Sequence, residues 1–191
     1  MAGVWKIVLV VLCLSVLFSS FSFIRSFNNS KNAEGDRMDL PEPDTSGGLS
    51  VEEALEQRRS VRSFSDRNMS LEVLSQLLWS AQGVTGSGGK RTAPSAGMTY
   101  PLEIYAVAGG VEGLDDGVYR YVPEDHSVEK NVSGDMRSEI GSAALNQNWI
   151  SDASVVFVFA GVFSRTERRY GMRGERYVFL EAGHAAQNLY L

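Results

Sequence analysis

The apolar and polar positions along the chain separate it into an apolar N-terminal run, a polar stretch and a longer mixed region. Ile7 to Ile24 are 18 consecutive uncharged residues, between Lys6 and Arg25. That is about the minimum length with which a helix crosses the hydrocarbon core of a bilayer. Because no clear cleavage site follows, residues 1–25 are predicted to anchor the protein in a membrane as an N-terminal helix. The alternative is a cleaved signal peptide that exports the domain.

Residues 26–48 are rich in Asn, Ser, Asp, Glu, Pro and Gly and contain few large apolar side chains. This composition predicts a flexible, solvated linker. The folded domain is then expected over residues 49–191, a length within the common range for one domain.

Helical and strand patterns are mixed in this region. Ser50 followed by Glu53 forms a capping box that opens a helix ending near Arg59. A second helix is indicated by Ser70 and by apolar residues at helical spacing up to Gly83. Further strands are expected at 102–108, 118–122, 126–129 and 154–162, and further helices at 135–148 and 175–191. The mixture predicts an α+β or α/β sandwich.

Charge and cysteine usage narrow the functional classes. The chain carries 18 Lys and Arg against 23 Asp and Glu, a formal net charge of −5, and it has no long basic block. Nucleic acid is therefore not expected as a partner. The single cysteine, Cys13, lies in the apolar run, and there are only two histidines. A disulfide within the chain and a thiol nucleophile in the globular part are excluded, and no metal site is predicted.

A basic cluster follows the first helix, with Arg58, Arg59, Ser60 and Arg62 within five residues. Guanidinium groups donate in a planar fork that matches phosphate oxygens, so the cluster is a candidate phosphate site. Taken alone, it is also compatible with a solvated helix end.

Two further segments contain candidate binding groups. The loop from Arg91 to Pro101 consists mostly of small residues, which let a ligand approach the backbone closely. The amides of Asn146 and Gln147 precede an apolar strand and could pair with a heterocycle that presents both donors and acceptors. Each segment alone is also explained as ordinary loop or surface structure.

Five blocks follow one another in an order that resembles a known family. They are RRSVRSF at 58–64, RTAPSAGMTYPLEIYAV at 91–107, GVYRYVPEDHSVE at 117–129, ALNQNWISDASVVFVFAG at 144–161 and RYVFLEAGHAAQNLYL at 176–191. The set resembles the nitroreductase superfamily of FMN-dependent oxidoreductases and, within it, the SagB-type dehydrogenase branch. The resemblance implies a nitroreductase-like α+β fold, with a central, mainly antiparallel sheet flanked by helices and usually assembled as a homodimer.

The resemblance also implies roles for individual residues. The RRS-x-R block of the family binds the flavin phosphate, which points to Arg58, Ser60 and Arg62, with Arg59 as a neighbour. The loop of Pro94, Ser95, Ala96 and Gly97 would lie against the flavin and commonly reaches across the homodimer interface. An amide before the buried strand contacts the flavin ring, which points to Asn146 or, as the alternative, Gln147.

By this resemblance the protein would pass a hydride through bound FMN between a donor and an acceptor. The donor would be NAD(P)H or a heterocycle in a peptide, and no catalytic side chain is assigned. Because the family continues beyond the last helix, the domain is expected to be C-terminally incomplete here. The alternative function is a membrane-tethered, non-catalytic module that binds flavin or a partner with the same fold.

Overall fold

The computed structural model describes residues 7–10, 36–65 and 67–191, and its centre is a six-stranded sheet. The strands are β1 (Ile7–Val10), β2 (Arg37–Asp39), β3 (Val84–Gly86), β4 (Lys90–Arg91), β5 (Leu102–Ala108), β6 (Gly117–Val122), β7 (Ser127–Ser133) and β8 (Val155–Gly161). The sheet order is β1-β8-β5-β6-β7-β2, and β3 and β4 form a separate hairpin. Neighbouring strands are antiparallel, except that β1 runs parallel to β8.

The helices are α1 (Val51–Gln57), α2 (Leu71–Gln82), α3 (Arg137–Ala143), α4 (Phe163–Tyr170) and α5 (Gly174–Tyr190). Short 3-10 turns cover Ala96–Met98, Asn148–Asp152 and Gly171–Arg173. The predicted capping box is present, because Glu53 N donates to Ser50 Oγ at 3.2 Å and Ser50 N donates to Glu53 Oε2 at 3.0 Å. These bonds satisfy amide groups that the first helical turn leaves without partners.

Helices cover the sheet on both sides. Alternate residues of β5, such as Ile104 and Ala106, pack on one face against the apolar stripes of α2 and α5. On the other face Val107 packs with Ile140 of α3 and Ile150 of the following 3-10 turn. This two-sided burial explains the apolar character of β5 and β8. The predicted α+β class with a mainly antiparallel sheet is confirmed.

The prediction of a membrane-anchoring N-terminal helix is wrong. Ile7–Val10, the first residues of the predicted span, form a strand that pairs with Val155–Val158. None of the helices in the described ranges is long and apolar enough to cross a bilayer. A short apolar run rich in Val and Ile fits a strand as well as a helix, so its hydropathy did not decide between them. Residues 11–24, the remainder of the span, lie outside the described residues.

This finding also contradicts the membrane-anchored localisation predicted with that helix. The membrane-tethered alternative function loses its support for the same reason.

Part of the predicted linker belongs to the sheet. Arg37–Asp39 pair with Ser127–Glu129 of β7, and the next residue, Leu40, is buried in the core. The Pro41 carbonyl accepts hydrogen bonds from the side chains of Ser75 and His126. A polar edge strand of three residues has no hydrophobic periodicity, so composition alone could not reveal it.

Candidate functional site

The arginine cluster lies where α1 ends. Arg58 is the C-cap residue, and its extended backbone leads the chain away from the helix. Arg59 Nη1 donates to the carbonyls of Glu56 and Arg58, both at 2.7 Å, so this side chain caps the helix end. Ser60 and Arg62 are exposed and Arg58 is half-buried. No described carboxylate lies within ion-pair distance of Arg58 or Arg62.

The structure brings this cluster beside the segment that carries the predicted amides. Arg62 Cζ lies 5.9 Å from the ring centroid of Trp149, and the ring of Phe64 lies 6.2 Å from the same residue. A guanidinium over an indole face is attracted by the ring quadrupole. Arg62 and Phe64 therefore meet Trp149, which is far away in sequence and lies two residues after Gln147.

The two predicted amides are presented differently. The left-handed backbone of Leu145 and Asn146, with φ of 61° and 58°, ends α3 earlier than predicted. Asn146 is exposed. The side chain of Gln147 donates to the Ala144 carbonyl at 2.9 Å. Asn146 is thus the amide more available to a ligand.

A cavity of about 580 Å³ opens beside Arg62, next to the carboxyl end of β5. Its size lies within the range of small-molecule sites. The lining residues are Arg62, Ser63, Phe64, Asn68, Gly109, Gly110, Arg137, Ser151, Asp152 and Ser154.

Sequence reasoning missed Arg137 in this wall. Its guanidinium donates to both carboxylate oxygens of Asp135 and to the Ala153 carbonyl. The hydrogen bond from Arg137 holds the pKa of Asp135 below its usual range. A single arginine at the start of a helix gives no signal of this position. The Gly109-Gly110 pair directly after a strand, which permits a close approach of the backbone, is the signal that could have pointed to this wall.

The small-residue loop has a constrained shape. Ser95 Oγ accepts a hydrogen bond from Tyr100 N at 2.9 Å, and Arg169 Nη1 donates to the Gly97 carbonyl at 3.1 Å. Gly97 has a φ of 58°, and a Cβ atom there would lie 2.6 Å from the Tyr170 hydroxyl. Only glycine fits this position without a shift of its neighbours. Pro94 is exposed, and Ser95 and Ala96 are half-buried.

The loop and the arginine cluster lie at opposite ends of β5. Pro94–Gly97 precede Leu102, the first residue of the strand, while the cavity is reached at Gly109, just after its last residue. A strand of this length spans roughly 20 Å. One chain therefore brings Arg62 to the segment that follows the amides but does not bring the loop to it.

A model of the nitroreductase family matches residues 55–191 of the chain. The chain belongs to this family. MJ1384 of Methanocaldococcus jannaschii, which bears the name nitroreductase, is 45% identical over 157 residues, covering 82% of this chain and 79% of the relative. Membership of the nitroreductase family supports oxidoreductase chemistry, and proteins of the family commonly bind FMN.

Solved structures of similar fold include other nitroreductase-family proteins. A protein of Ralstonia eutropha JMP134 described as a nitroreductase is 33% identical, with a TM-score of 0.69 over 81% of this chain and 69% of its own. A chain of the Escherichia coli microcin synthetase McbBCD complex, solved with truncated pro-MccB17 bound, is 21% identical with a TM-score of 0.56 over 95% of this chain and 68% of its own. At that identity the second likeness concerns the fold alone.

The residues present fit a flavin nucleotide at the carboxyl end of β5. Arg58 and Arg62 are cations without described acidic partners, which suits a phosphate dianion. Phe64 lines the adjoining cavity, and Trp149 lies against both Phe64 and Arg62. These aromatic surfaces suit a planar heterocycle.

Proposed function

We propose that this protein is an FMN-dependent oxidoreductase. The observation that carries the proposal is Arg62, which makes no ion pair with a described carboxylate and lines a cavity bordered by aromatic side chains at the carboxyl end of β5. Arg58, which likewise makes no ion pair with a described carboxylate, lies four residues before it. Bound FMN would supply hydride transfer between a donor and an acceptor, which amino-acid side chains cannot perform.

The side chains would bind and orient the cofactor. Arg58, Ser60 and Arg62 would hold the phosphate by charge-assisted hydrogen bonds. Asn146 would pair with the polar edge of the ring, and Gln147 would turn from the Ala144 carbonyl if it were to take that role. Arg59 would support the helix end beside them, since its guanidinium already donates to two carbonyls.

The loop of Pro94, Ser95, Ala96 and Gly97 would reach the same flavin from a second copy of the chain. A homodimer is typical of the family. The roughly 20 Å along β5 that separates loop and cluster within one chain supports this arrangement.

We propose NAD(P)H as the hydride donor and a small molecule as the acceptor. Relatives at 45% and 33% identity are named for nitro-group reduction, a reaction that needs an external donor. Oxidation of a heterocycle in a peptide, as expected of the SagB-type branch, is the alternative. The similarity to the microcin synthetase chain concerns the fold alone, so it supports this alternative only as a shared fold.

The test is the visible spectrum of the full chain titrated with FMN. Arg62→Ala should weaken FMN binding about tenfold or more, the loss expected for a hydrogen bond between charged groups. Arg37→Ala is the control, because it removes the same charge from β2 at the far edge of the sheet. The bound flavin should bleach when NADPH is added without oxygen. A folded protein without affinity for FMN, or with equal losses in both variants, would disprove the proposal.

A further inference from the structure

Two polar side chains from distant parts of the sequence meet in the apolar core. Gln82, the last residue of α2, is 1% exposed, and Glu181 of α5 is 2% exposed. Gln82 Nε2 donates to Glu181 Oε1 at 3.2 Å. Glu181 Oε2 is buried and makes no hydrogen bond to any described residue. Burial raises the pKa of the Glu181 carboxyl above its usual value.

The pair is connected to a guanidinium at the start of the small-residue loop. Gln82 Oε1 accepts a long hydrogen bond from Arg91 Nη1 at 3.4 Å. Arg91 Nη2 donates to Glu124 at 2.5 Å, and its guanidinium carbon lies 4.2 Å from the ring centroid of Tyr100. The Arg91 side chain is only 10% exposed, so these contacts define its direction.

Arg91 and Tyr100 are the two ends of the loop that contains Pro94–Gly97. Their stacking closes the base of the loop, and the hydrogen bond from Tyr100 N to Ser95 Oγ connects that base to the candidate flavin contacts. Met98 and Tyr100 have positive φ angles. Residues other than glycine keep this strained backbone conformation only where the surrounding contacts hold it in place.

We propose that Glu181 is a positioning residue. Through its hydrogen bond with Gln82 it directs the Arg91 guanidinium against the ring of Tyr100. That contact holds Pro94–Gly97 in the shape that meets the flavin. A well-packed apolar pair could fill the same space at lower desolvation cost, but it could not orient a guanidinium. The flavin contact rests on the proposed function, whereas the effect on loop shape does not.

The experiment measures hydrogen exchange of the amides of Met98, Thr99 and Tyr100 in the full chain, followed by FMN titration. Glu181→Leu and Gln82→Met should each raise exchange about tenfold, the loss of one net hydrogen bond, and weaken FMN binding in parallel. Glu181→Gln should stay within about twofold of the wild type, because it keeps an acceptor for Gln82. Ser127→Ala is the matched control, because it removes another buried polar atom, one without a described partner.

Unchanged exchange in Glu181→Leu and Gln82→Met, or an equal rise in Ser127→Ala, would overturn the proposal. The proposal would also be overturned if the loop amides exchanged as fast in Glu181→Gln as in Glu181→Leu. If Glu181→Leu does not fold, Gln82→Met decides. Wild-type protein that fails to bind FMN would end the proposed function, while the exchange data would still decide the role of Glu181.

Discussion

The two ends of β5 use arginine in different ways. At the carboxyl end Arg58 and Arg62 have no acidic partner among the described residues. At the amino end Arg91 donates to Glu124 and Arg165 donates to Glu103, at 2.5 and 2.6 Å. A guanidinium that a carboxylate already neutralises attracts an anion weakly. The carboxyl end is therefore equipped to bind a phosphate, and the amino end to hold a loop.

The two ends also differ in how much of their structure exists before a ligand arrives. The carboxyl end offers an open cavity and exposed side chains whose rotamers must still be fixed. At the amino end, hydrogen bonds, stacking and left-handed backbone already define the loop. Such preorganisation lowers the entropic cost of contact with a ligand. We expect the carboxyl end of β5 to supply most of the affinity for FMN and the amino end to fix the position of the flavin ring.

Mixing two defective chains tests whether the ends cooperate across two copies. Arg58→Ala with Arg62→Ala should abolish measurable FMN binding, as should Pro94→Glu, which puts a bulky anion on the exposed tip of the loop. Refolded together, the two chains should recover about a quarter of the sites, since half of the dimers would be mixed and each would contain one intact site. Flavin absorbance per chain measures the recovery.

Two copies of the same defect provide the control, because such dimers contain no intact site. Mixed chains that bind no more FMN than either variant alone would show that one chain supplies both ends. The two ends of β5 would then not cooperate across two copies of the chain in binding the flavin.

Gly97→Ala tests the rigidity of the amino end. The added Cβ would approach the Tyr170 hydroxyl at a backbone φ of 58°, so a loss of about 2–4 kcal/mol in the free energy of unfolding is expected. Gly88→Ala is the matched control, because Gly88 has a φ of 81° but faces open space. It should lose only about 1 kcal/mol. Equal losses in urea unfolding would show that the tight contact at Gly97 contributes nothing.

The pH dependence of stability tests the buried carboxyl beneath the loop. Burial raises the folded-state pKa of Glu181 above its usual 4.5, so the folded state retains a proton that the unfolded state releases. This contribution is complete below the unfolded pKa and is lost as the pH rises through the folded pKa. The stability of Glu181→Gln relative to the wild type should therefore increase as the pH rises above the unfolded-state pKa of about 4.5.

Urea unfolding at several pH values measures this difference, and Glu42→Gln, which replaces an exposed carboxyl, is the control. If the difference in unfolding free energy between Glu181→Gln and the wild type does not change with pH, the pKa of the Glu181 carboxyl is not raised in the folded state.

Local rules predicted most of the fold. The capping box at Ser50 and the apolar stripe of α2 depend on residues three or four positions apart, and both are found. The N-terminal helix was wrong and β2 was missed because a strand is defined by its partner, here β8 or β7, which lies far away in the sequence. A chain segment read alone contains no information on that pairing.

The composition of the candidate site was visible in the sequence, but its arrangement was not. Arg58, Ser60 and Arg62 are a candidate phosphate site in the sequence because phosphate requires clustered donors. The contact of Arg62 with Trp149, the position of Arg137 in the cavity wall and the burial of Glu181 all depend on tertiary packing. Whether Pro94–Gly97 and the arginines form one site depends on a second chain, which no single sequence encodes locally.

The smallest expected effect concerns the paired charges at the amino end. Glu103→Gln removes the charged partner of Arg165, but the side chains of Glu103 and Arg165 are partly exposed, at 27% and 42%. Water screens such a pair, so the loss in unfolding free energy should be about 0.2–1 kcal/mol and should shrink as salt increases. FMN affinity should change little, because neither side chain belongs to Pro94–Gly97 or to the proposed phosphate site, and Arg165 keeps its hydrogen bond to the Tyr100 carbonyl. A loss of affinity as large as that of Arg62→Ala would mean that this ion pair, and not only the loop beside it, contributes to flavin binding.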